Sequence, residues 1–375
     1  MKNKLLKVIP VLMMGVSLTA CTLLSDLGIG GKGDITKFAS HRHEVSLKEF
    51  IEKAQNSIKD TEYVKDGYKM PDSKLIAGIK ATASQKLTNP NFKNKTRNEA
   101  SAKLNLTADG AYDRDNDSIK GSIEGSYSVS EKNAVLGEGS TKYSTDMNAI
   151  FMPNGKDVYG RSIYALADTK NETYRNYPVA DGFDLGNELS FGMTKAMKYL
   201  SQLNLTEGID EAAITKQLSQ YGLSLKYYSD NNVMTIVGKW DYSFDLREEN
   251  YHYEVVYDEE TGIYQQIKII DSVENYGHAV ISADVKFQFK VVKVVKLRAS
   301  FKGTLTADYF ADHASSYNVA WPFGFTGFSG DCYRDDKEVV KLDAEAGINL
   351  EHESVKNKLP DLAKYKNTTL EAKVY

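Results

Sequence analysis

The residues best suited to chemistry form an acidic run, Asp113-Arg114-Asp115-Asn116-Asp117-Ser118, which is followed by Glu124 at the twelfth position. Alternating oxygen ligands closed by a distant glutamate are typical of a calcium loop, because Ca²⁺ takes about six to eight oxygen ligands. Ser118 stands where such a loop requires a glycine, and strands rather than helices are predicted on both sides. An acidic hairpin turn accounts for the same residues, so Asp113, Asp115 and Asp117 are only candidate calcium ligands.

No other arrangement of residues is typical of a catalytic centre. The sequence has no Gly-x-Ser-x-Gly elbow, no Gly-x-x-x-x-Gly-Lys-Ser/Thr loop, no His-Glu-x-x-His and no Cys-x-x-Cys. Cys332 is the one cysteine besides Cys21, and four histidines are dispersed over the C-terminal half: His252, His278, His313 and His352. We predict a protein without catalytic residues or cofactor. Two carboxylates distant in sequence that meet in a cleft are the enzymatic alternative.

The first 21 residues have the pattern of an export signal. Positive charge at the start comes from Lys2, Lys4 and Lys7. The apolar segment that follows, Val8–Ala20, is shorter than the about 20 apolar residues that cross a bilayer. It ends in Leu18-Thr19-Ala20-Cys21, which resembles the lipobox of bacterial lipoproteins. The resemblance implies that residues 1–20 are a signal peptide and that a diacylglyceryl group on Cys21 anchors the mature protein at the extracytoplasmic face of the cell membrane. An ordinary secretory signal with an incidental cysteine is the alternative.

Residues 21–45 are predicted to be the lipidated cysteine and a flexible tether, because the stretch is glycine-rich and shows no periodicity. His41 and His43 at its end are spaced like a pair of metal ligands, but histidines exposed in a linker are the simpler interpretation. The formal charge of the chain is −4. A mildly acidic protein is a poor candidate for nucleic-acid binding, so the membrane is the partner we expect.

Helices are predicted in two places. Ser46-Leu47-Lys48-Glu49 has the spacing of a capping box, and apolar residues then recur on one helical face, which predicts a helix over 47–59. Apolar residues return at helical spacing between 186 and 221 in two runs, Leu189–Leu203 and Ile209–Leu218, which predicts a pair of helices. The methionines of the first run are more typical of core packing than of a lipid groove.

Most of the remaining chain alternates apolar and polar residues, as strands with one buried face do. Small apolar residues recur at every second position in the first strands: Ala77, Ala81, Ala83, Ala102 and Ala108. A run over 285–301 keeps its alternation for about 17 residues, which predicts one very long strand in a curved sheet. Its polar side is a basic stripe of Lys286, Lys290, Lys296, Arg298 and Lys302. This stripe is either a contact for anionic lipid headgroups or a solvated face.

The order of these features resembles the LolA/LppX family. The similarity covers residues 46–310: an N-terminal helix, long antiparallel strands, the helix pair near 186–221 and a hairpin at Asp258-Glu259-Glu260-Thr261-Gly262. It implies an α+β fold in which a large curved antiparallel sheet, an unclosed barrel, is covered by a few helices with lipid chains between them. Residues 311–375 form a C-terminal extension beyond the resemblance, for which packing on the same sheet is one option.

Two functions follow from these observations. The first is a membrane-anchored, non-enzymatic module that binds a lipid or another apolar ligand, since small residues on the inner face of a curved sheet leave volume for a guest. They are equally what close packing of helices requires. The second is a cell-surface interaction protein or adhesin that binds a protein partner through its tyrosines and the aromatic segment Trp321–Phe328.

Overall fold

The computed structural model describes residues 37–88, 96–133, 137–258, 263–311, 315–318, 329–332 and 335–369. The helices are α1 (Leu47–Lys59), α2 (Leu185–Gln202) and α3 (Glu211–Gln220), with 3-10 turns at Glu62–Val64 and Leu362–Lys364. The strands are β1 (Glu44–Val45), β2 (Ser73–Thr88), β3 (Thr96–Asp113), β4 (Ser118–Asn133), β5 (Gly137–Lys156), β6 (Ser162–Asp168), β7 (Thr173–Pro178), β8 (Leu223–Asp230), β9 (Val233–Asp258), β10 (Ile263–Val291), β11 (Val294–Ala311), β12 (Ser315–Asn318), β13 (Ser329–Cys332), β14 (Asp335–His352) and β15 (Lys366–Asn367).

The predicted helices are confirmed, and their N-termini follow from local capping. The Ser46 hydroxyl accepts a hydrogen bond from the amide of Glu49 at 3.1 Å, which satisfies one of the free amides at the start of α1. Asp184 and Asp210 do the same for α2 and α3, at 2.9 Å and 3.0 Å. Short polar side chains before each apolar run therefore fix where all three helices begin.

One large sheet dominates the fold. Its 13 strands run in the order β1-β8-β9-β10-β11-β14-β2-β3-β4-β5-β6-β7-β15. Neighbouring strands are antiparallel except for β15, which runs parallel to β7. Within the described residues no pairing joins the first strand of this order to the last, so the sheet is unclosed. An α+β protein with a large antiparallel-rich sheet and a few helices is what the sequence predicted.

The C-terminal part of the chain lies within this sheet. β14 pairs with β11 on one side and with β2 on the other, so residues beyond 310 form a central strand. After β14 the chain crosses the β3–β4 turn, where the amide of Asn357 donates to Asp113 at 2.7 Å. The extension therefore joins the first and last thirds of the sheet.

The single long strand predicted over 285–301 is wrong. The chain turns back at Val292–Lys293, and β10 pairs with β11 in a register that sets Val291 opposite Val295. Because odd residues face odd residues across this tight turn, the alternation continues in phase and gives no sign of the reversal. The basic stripe is thereby divided between two strands. Lys296 pairs with Glu351 at 2.6 Å and Lys302 with Asp343 at 3.8 Å, as on a solvated face.

Residues 37–45 of the predicted tether lie against the sheet. The side chain of Gln288 exchanges two hydrogen bonds with the backbone of Ala39, at 2.7 Å and 3.0 Å. The His43 ring meets Asp230 at 2.6 Å, and β1 then pairs with β8 at the sheet edge. The segment therefore passes from one face of the sheet, around its edge, into α1 on the other face.

Candidate functional site

The three helices pack on one face of the sheet and cover only one end of its strands. We call this face the helix-side face. Beneath α1 and α2 it contributes buried residues that include Tyr112, Ile119, Met234, Phe289 and Leu350. These positions lie within a few residues of the turns at 114–117, 231–232 and 292–293, which mark the covered end. The strands continue well past the helices, so the other half of the sheet lies outside this core.

The helix-side face stays apolar after the helices end. Strand register places three successive rows of side chains across β10, β11, β14, β2, β3 and β4, and we call these rows the apolar extension. Its residues are Ala299, Ala346, Ile79, Leu106 and Gly125 in the first row, Val285, Phe301, Ala344, Ala81, Leu104 and Tyr127 in the second, and Ala283, Gly303, Leu342, Ala83, Ala102 and Val129 in the third. None is charged, and about half are alanine or glycine.

Large side chains in these rows are open to solvent. Ile79, Leu104, Tyr127 and Leu342 are exposed to between 37% and 44%. On the opposite face the same strand segments carry polar residues such as Lys80, Thr82, Lys103, Lys341 and Asp343. Alternation of this kind normally marks a face that something covers. Within the described residues no helix lies over the apolar extension.

The dimensions of the apolar extension suit a hydrocarbon chain. Six strands at about 4.8 Å spacing span about 24 Å across the strands, and the step from Ile79 to Ala83 is about 13 Å along them. Half of a bilayer's hydrocarbon core is about 15 Å thick. The small residues of the second and third rows leave low relief between Leu104, Tyr127 and Leu342. A chain of membrane-lipid length therefore fits within the extension.

A depression of about 730 Å³ near the strand ends has a different character. Its lining comes mostly from the polar face and includes a row of serines: Ser84, Ser101, Ser130 and Ser140. Its charges are matched within the protein, since Lys86 contacts Glu99 at 2.5 Å and Lys132 contacts Glu138 at 2.7 Å. Paired side chains of this kind are typical of a solvated strand surface, and they present no free carboxylate pair for acid–base chemistry.

The acidic run lies in the β3–β4 hairpin turn, and its carboxylates are directed at protein donors. Asp113 is fully buried and accepts from the amides of Asp115 and Asn116 at 3.1 Å and 3.2 Å. Asp115 pairs with Lys356, and Asp117 accepts from the hydroxyl of Tyr164 and from the amide of Leu185. Among the described residues no group of three or more His, Cys, Asp or Glu is placed to hold a metal ion. The hairpin-turn interpretation accounts for this geometry.

Asp113 is held ionised by its surroundings. Burial alone opposes the charge, but hydrogen bonds from Asn357 and Asn116 outweigh burial and hold the pKa of Asp113 below its usual value. The Asn357 side chain also donates to the carbonyl oxygens of Ala111 and Ser118 at 2.9 Å and 3.2 Å. These contacts fasten the C-terminal segment to the β3–β4 turn.

A serine and a histidine meet where the sequence gave no signal. The Ser73 hydroxyl lies 2.9 Å from Nδ1 of His352, and Nε2 of the same ring lies 2.7 Å from the hydroxyl of Tyr63. Ser73 is buried, and its hydroxyl donates to the carbonyl of Pro71 at 2.7 Å. Burial lowers the pKa of His352. The pair has no access for a substrate and forms a structural network that joins β2, β14 and the Glu62–Val64 turn.

Several predicted features lie outside the described residues. They are the signal peptide 1–20, Cys21 and the tether as far as residue 36, residues 259–262 of the Asp258–Gly262 turn, and the aromatic segment Trp321–Phe328. Of the linker histidines, His41 stacks against Tyr228 with ring centroids 4.4 Å apart. Within the described residues no helix is both long and apolar enough to cross a membrane.

Comparisons with known proteins give only distant similarities. No protein-family model matches the sequence, and no curated protein is significantly similar to it. Among solved structures, the outer membrane protease OmpT from Escherichia coli aligns over 76% of this chain and 99% of its own, at 6% identity and a TM-score of 0.21. The outer membrane protein OprD from Pseudomonas aeruginosa aligns over 79% and 99%, at 8% identity and a TM-score of 0.16. A FadL homologue from Pseudomonas aeruginosa aligns over 75% and 90%, at 8% identity and a TM-score of 0.12. At these TM-scores the alignments carry no argument about function.

Proposed function

We propose that this protein is a membrane-anchored, non-enzymatic binding module that holds an acyl chain of a lipid on the apolar extension. The observation that carries the proposal is the continuity of the uncharged helix-side face beyond the helices that cover its other half. Burying an exposed apolar patch of a few hundred square ångströms is favourable, and such patches mark binding sites more often than inert surface.

The location and the fold family belong to the same proposal. A diacylglyceryl group on Cys21 would hold the protein at the extracytoplasmic face of the membrane, where its lipid ligand is available. Helices packed on one face of a large unclosed sheet are what a LolA/LppX-like lipoprotein would have, and curvature of the sheet toward the helices would turn the apolar extension into a concave site. Its ligand would therefore be a lipid, with no nucleic acid involved.

Filling the apolar extension is expected to abolish lipid retention. Ala81 lies in the second row beside Ala344 and Leu104, so Ala81→Trp places an indole where the chain would lie. Residues 22–375 are incubated with a bacterial lipid extract, repurified and examined by native mass spectrometry. We expect a stoichiometric lipid adduct on the unsubstituted protein and a loss of about tenfold or more in Ala81→Trp, because an indole removes apolar contact area equal to several methylene groups.

The matched control is Thr82→Trp, since Thr82 is the next residue on the same strand and faces the opposite side. It should retain the adduct. An unsubstituted protein without adduct, or equal loss in both variants, would contradict the proposal. The first of these results would favour the protein-partner alternative.

A further inference from the structure

The β5–β6 hairpin carries the two most solvent-exposed large apolar residues of the described chain. Val158 is 93% exposed and Tyr159 is 81% exposed. They lie side by side at the tip, with Lys156 before them and Arg161 after them. Folding leaves apolar side chains at such exposure only where their burial contributes nothing to the core, so their position calls for a contact outside the chain.

The tip is held rigidly in this exposed arrangement. The carboxylate of Asp157 accepts from the amides of Tyr159 and Arg161 at 2.9 Å and 2.8 Å, and from Nε of Arg161 at 2.7 Å. Gly160 completes the turn with a φ of +82°. The Arg161 guanidinium also lies 5.4 Å from the centre of the Tyr159 ring. Because Asp157 is matched by Arg161, Lys156 leaves the tip with a net positive charge.

The tip projects from the covered end of the sheet. Phe151 pairs with Ile119, the second residue of β4, so β5 runs on past the start of β4 before it turns. The N-terminal segment leaves the sheet at this same end, because Ala39 is bound to Gln288, three residues before β10 ends. From residue 37 back to Cys21 are 16 residues, which span at most about 55 Å. The membrane anchor and the tip are therefore on one end of the molecule.

We propose that the β5–β6 tip contacts the lipid bilayer directly, with Val158 and Tyr159 in the interfacial layer and Lys156 at the headgroup phosphates. This inference rests on the proposed function insofar as that function places the protein at a membrane. Tyrosine is enriched at bilayer interfaces because its ring is apolar and its hydroxyl polar, and lysine reaches the headgroups from an apolar stem. A protein partner fits less well, since a stable protein interface buries about 800 Å² per partner and the tip offers two apolar side chains.

The test measures binding of residues 22–375, which lack the acylated cysteine, to protein-free vesicles of equimolar phosphatidylcholine and phosphatidylglycerol. The described fold begins at residue 37, so the missing residues take no part in it. We expect the unsubstituted chain to sediment with the vesicles. The double variant Val158→Ser/Tyr159→Ser should bind at least about tenfold more weakly, because two apolar side chains no longer leave water.

The matched control is Tyr221→Ser. Tyr221 is also strongly exposed, at 65%, but it precedes β8 at the end away from the β8–β9 turn and so lies off the covered end. This variant should bind vesicles like the unsubstituted chain. Absence of vesicle binding, or equal binding by the tip variant, would overturn the inference. So would a tip variant that fails on native membranes yet binds protein-free vesicles normally, because the partner would then be a protein.

The outcome is separable from that of the proposed function. The tip lies outside the apolar extension, so the tip variant is expected to keep its lipid adduct in native mass spectrometry. Loss of vesicle binding with the adduct intact would support the inference independently. A chain without lipid adduct that still binds vesicles through Val158 and Tyr159 would contradict the proposed function alone.

Discussion

Replacing Gly222 with alanine is expected to lower the free energy of unfolding by about 3 kcal/mol or more, since left-handed strain and a backbone clash add together. Gly222 links α3 to β8 with a φ of +69°, and a Cβ there would lie 1.8 Å from the carbonyl oxygen of Asp241. The adjoining contacts hold the strands together: the amide of Asp241 donates to the Gly222 carbonyl at 2.9 Å, and the Trp240 indole donates to the carbonyl of Tyr221 at 2.9 Å.

Gly208→Ala is the matched control for this prediction. Gly208 has nearly the same φ, +73°, but an added Cβ there meets open space. It is expected to cost about 1 kcal/mol, from the left-handed conformation alone. Urea unfolding of both variants, followed by circular dichroism, measures the difference. Equal losses in the two variants would show that α3 and β8 do not meet as described.

The second large effect is expected at Asp113. Asp113→Ala should lower the free energy of unfolding by about 3 kcal/mol, because it leaves buried donors unpaired and frees the C-terminal segment. The donors are the amides of Asp115, Asn116 and Asn357, together with the Asn116 side chain. Asp146→Ala serves as the control, since Asp146 is an exposed carboxylate of β5. A loss in Asp113→Ala no larger than that in the control would contradict this role.

The effect of Asp113→Ala should also depend on pH. Because the folded protein holds the pKa of Asp113 below its usual value, the unfolded chain takes up the proton first as the pH falls. The stabilisation is therefore complete above about pH 4 and is lost as the pH falls through the pKa of the folded state. The difference between Asp113→Ala and the unsubstituted protein should shrink below about pH 4. Unfolding midpoints measured from pH 7 down to pH 3 give this directly.

The sequence predicts the elements whose signals are local. α1 begins where Ser46 and Glu49 form a cap, and the alternation that places Ala81 and Ala83 on one side is the alternation of β2. The turn at Val292–Lys293 was missed because the two strands it joins keep the same parity. Its polar alternation was right even though its topology was wrong.

Long-range pairing explains most of what the sequence does not reveal. Nothing near His352 indicates that it meets Ser73, which is 279 residues away, or that β14 lies between β11 and β2. These contacts depend on the register of strands that are distant along the chain. The apolar extension has the same origin. The sequence predicts that small apolar residues share a face, but where the helices stop covering that face is set by tertiary packing.

The most direct test of the central claim is to photolabel the protein with a lipid that carries a diazirine in its acyl chain. Residues 22–375 are loaded, irradiated and digested, and labelled positions are read by mass spectrometry. We expect label on helix-side residues such as Leu104, Leu342 and Ala344, and little on Lys103, Lys341 or Asp343, which alternate with them on the opposite face. Label spread equally over both faces, or confined to the polar face, would contradict the claim that the apolar extension holds the lipid.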